Sequence, residues 1–354
     1  MTNGTPPPDQ IDVSLITGFL GSGKTTLMRH LLRSPAMREA AVIVNEFGEV
    51  GLDHQLMEAA GQEVVLLESG CICCSLDGSL VETIESLLRR RRKGTIPPFC
   101  RILVETTGLA DPGPVIHELF DLRAVRLGVN LDRVITLVDA VSGFSTLDKH
   151  EVAIRQAALA SSILVSKTDL AKPENIATLM QRLAEINPRA TLGPIRNGET
   201  DPAALFPDQA NAMIGDLIGW QDRTCVHHEH HRGHSHHDRV STVALRLAEP
   251  ISLSAFSDWL DGAIANYGDD LLRIKGILNV RDRSGPVVVH GVQRVFNPAV
   301  ELEAWPDEDR SSRIILILYD VEPRLLVRSL GRALSVDSEA VRVLEDAAHA
   351  HHAH

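Results

Sequence analysis

Short apolar runs recur through the first two-thirds of the chain, and most are followed by a stretch with helical spacing. Residues 11–17, 41–44, 63–67, 101–104, 134–138 and 162–165 read as strands. Their apolar character is nearly continuous rather than alternating, which predicts strands covered on both faces. Residues 27–32, 80–90, 152–160 and 174–186 carry apolar side chains at helical period. Strands alternating with helices predict an α/β fold with a doubly wound, mostly parallel sheet. Ligands of such sheets bind beyond the carboxyl ends of the strands, and the polar motifs follow the strands closely. After Asp238 the pattern changes. Residues 242–247 alternate, 253–265 are amphipathic, 271–280, 286–290 and 313–317 read as further strands, and 325–334 close as a helix. This predicts a smaller α+β domain. The division expected is a disordered lead-in at 1–10, an α/β domain at 11–222, a histidine-rich linker at 223–239, the α+β domain at 240–334 and a histidine-rich tail at 335–354.

Composition narrows the class. The chain has 354 residues, 44% hydrophobic and 23% charged, which suits a soluble globular protein of two or three domains. No run reaches the ~18–20 apolar residues that span a bilayer, and the first ten residues lack the pattern of a signal peptide. A net charge of −12 argues against nucleic-acid or anionic-membrane partners. The basic run from Arg89 to Lys93 ends a helical stretch, where cations are expected on dipole grounds. Five cysteines, three of them within Cys71–Cys74, suit metal or thiol chemistry in a reducing cytosol better than a disulfide framework.

The sharpest motif is Gly18-Phe19-Leu20-Gly21-Ser22-Gly23-Lys24-Thr25-Thr26, between a strand and a helix. Glycines let backbone N–H groups close on phosphate oxygens, and the following helix turns its positive end to the same anion. Gly21, Ser22, Gly23, Lys24, Thr25 and Thr26 are therefore candidate phosphate ligands, with Lys24 reaching the β- and γ-phosphates and Thr25 holding Mg²⁺. Ser166-Lys167-Thr168-Asp169 has the form [NS]-K-x-D, in which a carboxylate pairs with both N1–H and the exocyclic amine of guanine, so GTP is the nucleotide expected. Glu105, in Glu105-Thr106-Thr107-Gly108, closes the strand expected beside the phosphate loop and is the candidate to hold Mg²⁺ through water or to position the attacking water.

Cys71, Cys73 and Cys74 suit Zn²⁺, Cu(I) or Co²⁺. Three such close thiolates cannot close a structural site alone, so an open, exchangeable site is expected, its remaining ligand drawn from Glu46, Glu49, a histidine or a client. A redox role and a buried cysteine cluster are the alternatives. His227, His228, His230, His231, His234, His236 and His237 form a tract that reads as a metal store, a linker or a plain polar segment.

The glycine-lysine loop, Asn45-Glu46-Phe47-Gly48-Glu49, Gly70-Cys71-Ile72-Cys73-Cys74, Glu105-Thr106-Thr107-Gly108 and Ser166-Lys167-Thr168-Asp169 together closely resemble the CobW-type P-loop GTPases. These are relatives of the GTPases that insert nickel into urease and hydrogenase. Trp259-Leu260, Leu271 to Gly276, His290 to Gln293 and Trp305-Pro306 resemble the C-terminal domain of that family, so the likeness runs over almost the whole chain. A carboxylate that some members carry just before the Asn45 stretch is here Val44. The resemblance implies a GTP-dependent metallochaperone. Lys24, Thr25 and Glu105 would be its catalytic residues, and Cys71, Cys73 and Cys74 would hold a transferable divalent metal, zinc first and cobalt second, for a client metalloprotein. A metal-storage or sensing protein and a nucleotide-switched scaffold are the rival functions. No arginine finger is evident in the motifs, so slow turnover is expected. Oligomeric state is left open.

Overall fold

The computed structural model describes residues 11–44, 64–66, 72–75, 79–120, 124, 127–206, 239–296, 299–336 and 342–343. They divide into two compact units. The first draws on the described residues within 1–146, 155–180 and 190–207, and the second on those within 147–154, 181–189 and 208–354.

The first unit is built on β1 (Ile11–Gly18), whose inner residues are all buried. The order of the eight-stranded sheet is β3-β4-β2-β5-β1-β6-β7-β8. The further strands are β2 (Ala40–Val44), β3 (Val64–Leu66), β4 (Ile72–Ser75), β5 (Arg101–Glu105), β6 (Val129–Asp139), β7 (Ser162–Ser166) and β8 (Thr191–Pro194). Neighbours are parallel except β3 and β4. From β1 the chain turns through α1 (Lys24–Arg33) to β2 on one side, whereas β6 to β8 build the other side. β1 thus stands at the switch point where such sheets bind ligands. α1 buries Leu27, Met28, Leu31 and Leu32 in a core shared with Ile16, Val42, Leu103 and Ile135.

Local chemistry sets the helix starts. α2 (Leu80–Arg92) opens on a capping box in which the Ser79 hydroxyl accepts from Glu82 N and the Glu82 carboxylate accepts from Ser79 N. α3 (Pro112–Leu119) is absent from the sequence reading because two prolines and a glycine mask its period. Pro112 nevertheless falls at the first helical position, where no hydrogen bond is lost, and Asp111 caps Gly113 N at 2.9 Å. The unpredicted β8 is a short edge strand that tolerates Gly193 and Pro194. Further α-helices among the described residues of this half are α4 (Gly143–Lys149), α5 (Glu151–Leu159), α6 (Pro173–Ile186) and α7 (Pro202–Leu205).

One expectation is corrected. The later part of the cysteine run lies within the sheet and not in a loop beyond it: Ile72–Ser75 is itself a strand, parallel to β2 and antiparallel to β3. Ile, Cys and Cys are all apolar enough to meet the pattern of an inner strand, and a thiol counts as a small hydrophobe there.

In the second unit, β9 (Val240–Leu247), α8 (Leu253–Tyr267), β10 (Leu271–Leu278), β14 (Ser312–Tyr319), α9 (Pro323–Leu334) and β15 (Arg342–Val343) follow the split βαβ plan, with strand order β10-β14-β9-β15. β11 (Val287–Val292), β12 (Val295–Phe296) and β13 (Val300–Glu301) extend the β10 edge. All its strand pairs are antiparallel. Both helices pack on one face, where Phe256, Trp259, Leu326 and Leu330 meet Ile274, Ile314 and Leu316. Among the described residues no helix is long and apolar enough to cross a membrane.

Candidate functional site

The loop after β1 has the backbone a phosphate cradle needs. Gly18, Gly21 and Gly23 have φ of 138°, 71° and 99°, all in the region that side chains avoid. At Gly18 a Cβ would stand 2.3 Å from the Leu137 carbonyl oxygen, so the loop closes on β6 only because the residue is glycine. Gly23 occupies the N-cap of α1 without a capping side chain, which leaves the N-terminal amides of the helix for a ligand. The Ser22 hydroxyl is buried and has no hydrogen-bond partner among the described residues. Lys24 Nζ folds over the loop and donates to the carbonyls of Gly18 at 2.9 Å and Phe19 at 3.3 Å.

β5 lies beside β1, and Glu105 at its end is 2% exposed. Thr25 Oγ1 donates to Glu105 Oε1 at 2.9 Å, joining residues 80 positions apart. Two hard oxygen donors thus converge at the start of α1, a donor set that suits Mg²⁺. The loop after Glu105 is braced twice. Thr106 Oγ1 donates to Thr17 Oγ1 at 2.8 Å. Buried Gln156 donates to the carbonyls of Gly108 at 3.3 Å and Ala110 at 3.0 Å.

On the other side of β1, β7 ends in Ser166, whose hydroxyl donates to Ser22 O at 2.6 Å and ties this loop to the phosphate loop. Lys167 has φ of 55°, and its ammonium donates to Asp139 Oδ2 at 2.6 Å. Asp139 Oδ1 in turn accepts from Val141 N at 2.7 Å and Ser142 N at 3.4 Å. Burial alone would raise this carboxyl, but the Lys167 hydrogen bond and charge and the two N–H donors outweigh it and hold it below the ordinary carboxylate range. Asp169 is exposed at the rim, and Thr26 is exposed on the first turn of α1.

The structure therefore brings together Gly21 to Thr25, Glu105 and Ser166. Cys73 and Cys74 lie on β4, in register with Val42 and Ile43 of β2. Val44 pairs with both Ser75 and Glu105, and Ile16 with Glu105, so Cys74 stands one position before the row that ends at the magnesium candidates. Cys71, Glu46, Glu49 and the histidines from His227 to His237 lie outside the described residues. Among the described residues no three His, Cys, Asp or Glu side chains gather as a metal site. Sequence reasoning gave no role to Asp139 or Gln156. Asp139 had a usable signal, being a carboxylate at the end of a strand neighbouring β1. Gln156 had none, because it lies in the middle of α5.

Comparison with known proteins agrees with this geometry. The nucleotide-binding domain of the CobW/HypB/UreG family matches residues 12–193, and the cobalamin synthesis protein cobW C-terminal domain matches residues 240–334. The chain is 35% identical to the zinc chaperone YjiA of Escherichia coli (strain K12) over 307 residues, 87% of this chain and 93% of that protein. It is 29% identical to the zinc-regulated GTPase metalloprotein activator 1 of Schizosaccharomyces pombe, covering 89% of this chain and 84% of that one. The crystal structure of Zn(II)-bound YjiA GTPase from E. coli superposes with a TM-score of 0.70 at 32% identity, covering 92% of this chain and 99% of the other. Phosphate loop, sheet order and both domain matches lead to one assignment: the chain belongs to the CobW/HypB/UreG family of nucleotide-binding P-loop proteins.

Proposed function

We propose that this protein is a GTPase that carries a zinc ion on Cys71, Cys73 and Cys74 and hands it to a client metalloprotein in the cytosol, with the nucleotide gating release. The observation that carries the reading is the hydrogen bond of Thr25 to Glu105 at 2.9 Å at the start of α1, with Cys74 one register row earlier on β4, two strands from β5. Relatives named zinc chaperone and zinc-regulated GTPase support the choice of metal and nucleotide.

The residues divide the work as follows. The amides of Gly21 to Thr26 take the phosphates, and Lys24 exchanges its carbonyl contacts for the β- and γ-oxygens. Thr25 and Glu105 would hold Mg²⁺, which would supply charge neutralisation to the phosphoryl group. Asp169 accepts the two guanine donors, while Asp139 holds Lys167 and Ser166 fixes the base loop to the phosphate loop. Residues 45–49 lie outside the described residues; β2, which leads into them, pairs with both β5 and β4, and we assign this part of the chain to respond to the γ-phosphate as switch loops do. Leu20, Leu109 and Leu170, which are 54%, 60% and 68% exposed, follow β1, β5 and β7 and offer apolar surface for a client to cover. The division into domains at 11–222 and 240–334 is part of the same proposal, with client choice placed outside the nucleotide site.

The test is Zn²⁺ affinity by chelator competition, with Mg²⁺ and either a GTP analogue or GDP bound, in a chain lacking 225–237 and 349–354. The expected outcome is a difference of about tenfold, or ~1.4 kcal/mol of coupling, which Cys73→Ser with Cys74→Ser abolishes. Equal affinity in both states would overturn gated delivery in favour of a storage protein or a scaffold.

A further inference from the structure

The second unit carries a surface on which charge is sorted by helix. α8 and α9 pack side by side, and Trp259 Nε1 donates to Ser329 Oγ at 2.9 Å between them. On α8 the charged residues are Asp258 and Asp261, and on α9 they are Arg324, Arg328 and Arg332. All five are exposed, and none enters an ion pair among the described residues. α9 buries Leu326, Leu330 and Leu334, so the arginines, each two positions earlier, form one stripe along its outer face. α8 buries Phe256, Trp259, Leu260 and Ala263, which turns both aspartates outward in the same way.

Helix stability accounts for only one member of this row, Arg332, which stands in the last turn where the dipole favours a cation. Like charges four residues apart disfavour a helix, and Arg324–Arg328 and Arg328–Arg332 are two such pairs in succession. Arg324 also stands in the first turn, where the dipole disfavours a cation. A basic row of this kind is stabilised by an acidic row from outside, and the neighbouring helix of a second copy carries one.

We propose that two copies of this chain associate through the α8–α9 layer, with Asp258 and Asp261 of each facing the arginine stripe of the other. A two-fold axis lying in the surface between the helices, and parallel to them, carries α8 of one copy over α9 of its partner, so acid meets base along both rows. That is the self-complementarity of an isologous dimer. A two-fold axis across the helices sets aspartate on aspartate and arginine on arginine, which repulsion disfavours. Leu325, 50% exposed on α9, gives the contact an apolar component.

Sedimentation velocity on the full chain tests this, without nucleotide and with a chelator so that histidine tracts cannot bridge copies through metal. The expected result is a dimer that weakens at least about tenfold between about 0.05 M and about 0.5 M salt. R324E/R328E/R332E and D258K/D261K should each be monomeric alone at concentrations where the parent is dimeric. Mixed in equal amounts they should form a dimer, because one copy then presents two acidic rows and the other two basic rows. All five positions are exposed, so the variants fold as the parent does, which circular dichroism checks first. A chain monomeric at every concentration, leaving the stripe to a carboxylate-rich partner, overturns the proposal. So does a dimer indifferent to both variants, or a mixture that stays monomeric.

Discussion

At the scale of single residues, close approach and charge decide the site. Gly18→Ala puts a Cβ against the Leu137 carbonyl at a position with φ of 138°, so strain and overlap add. It should cost about 2–5 kcal/mol and abolish nucleotide binding. Gly21→Ala meets no atom within 4 Å and should cost only the strain of its φ of 71°, about 1–2 kcal/mol. Chemical denaturation of the two variants separates the effects. Asp139 supplies a pH prediction. Its folded carboxyl titrates below its unfolded one, so its contribution is complete above the unfolded value and is lost as pH falls through the folded value. Asp139→Asn should flatten the loss of stability below about pH 4 and weaken GDP binding by releasing Lys167. A variant whose acid limb matched the parent's would show that the Lys167 contact contributes nothing. The two partners lie 28 residues apart, so the motif around Lys167 was legible in sequence while its pairing with Asp139 was not.

Among elements, the start of α2 carries a testable cap. It follows β4 and therefore fixes the chain on the carboxyl side of the cysteine run. Ser79→Ala removes the acceptor for Glu82 N, at 3.2 Å, and half of the capping box. The expected loss is about 1 kcal/mol, read as a shift in urea midpoint with unchanged slope. A slope that changes as well would mean that the capped segment unfolds separately. Elements with regular period were legible in advance: β1, β5 and β7 stand where the apolar runs predict them, within a residue or so at each end. Those missed have composition that works against their type. α3 carries prolines in its first turn, β8 contains glycine and proline, and β4 is made of residues whose thiols drew attention to chemistry ahead of strand pattern.

For the whole molecule, ligand and stability are linked, because nucleotide binds the assembled loops and not the unfolded chain. GDP with Mg²⁺ at about a hundred times its Kd should stabilise the protein by about 2.7 kcal/mol, seen as a rise in melting temperature. ADP at the same concentration should give none, since adenine lacks the paired donors that Asp169 accepts. Lys24→Ala should abolish the GDP shift while keeping the fold, as its ammonium donates to carbonyls of its own loop at 2.9 Å and 3.3 Å. An equal shift with ADP would remove the guanine assignment.

The amino-acid sequence by itself determined the alternation of strands and helices, the phosphate-loop spacing and the change of grammar after Asp238. All three depend on residues near one another in the chain, where period and backbone freedom act directly. The tertiary structure decided which strands are neighbours. Thr25 and Glu105 meet across 80 residues because β1 and β5 pair. Gly18 must be glycine because β6 closes on it, and the cysteine strand lies beside β2 because β4 takes the next place in the sheet. The rows of opposite charge on α8 and α9 likewise face solvent together only because both helices cover the same side of one sheet. Such pairings follow from burying every apolar face at once, a condition on the whole chain that no local spacing contains.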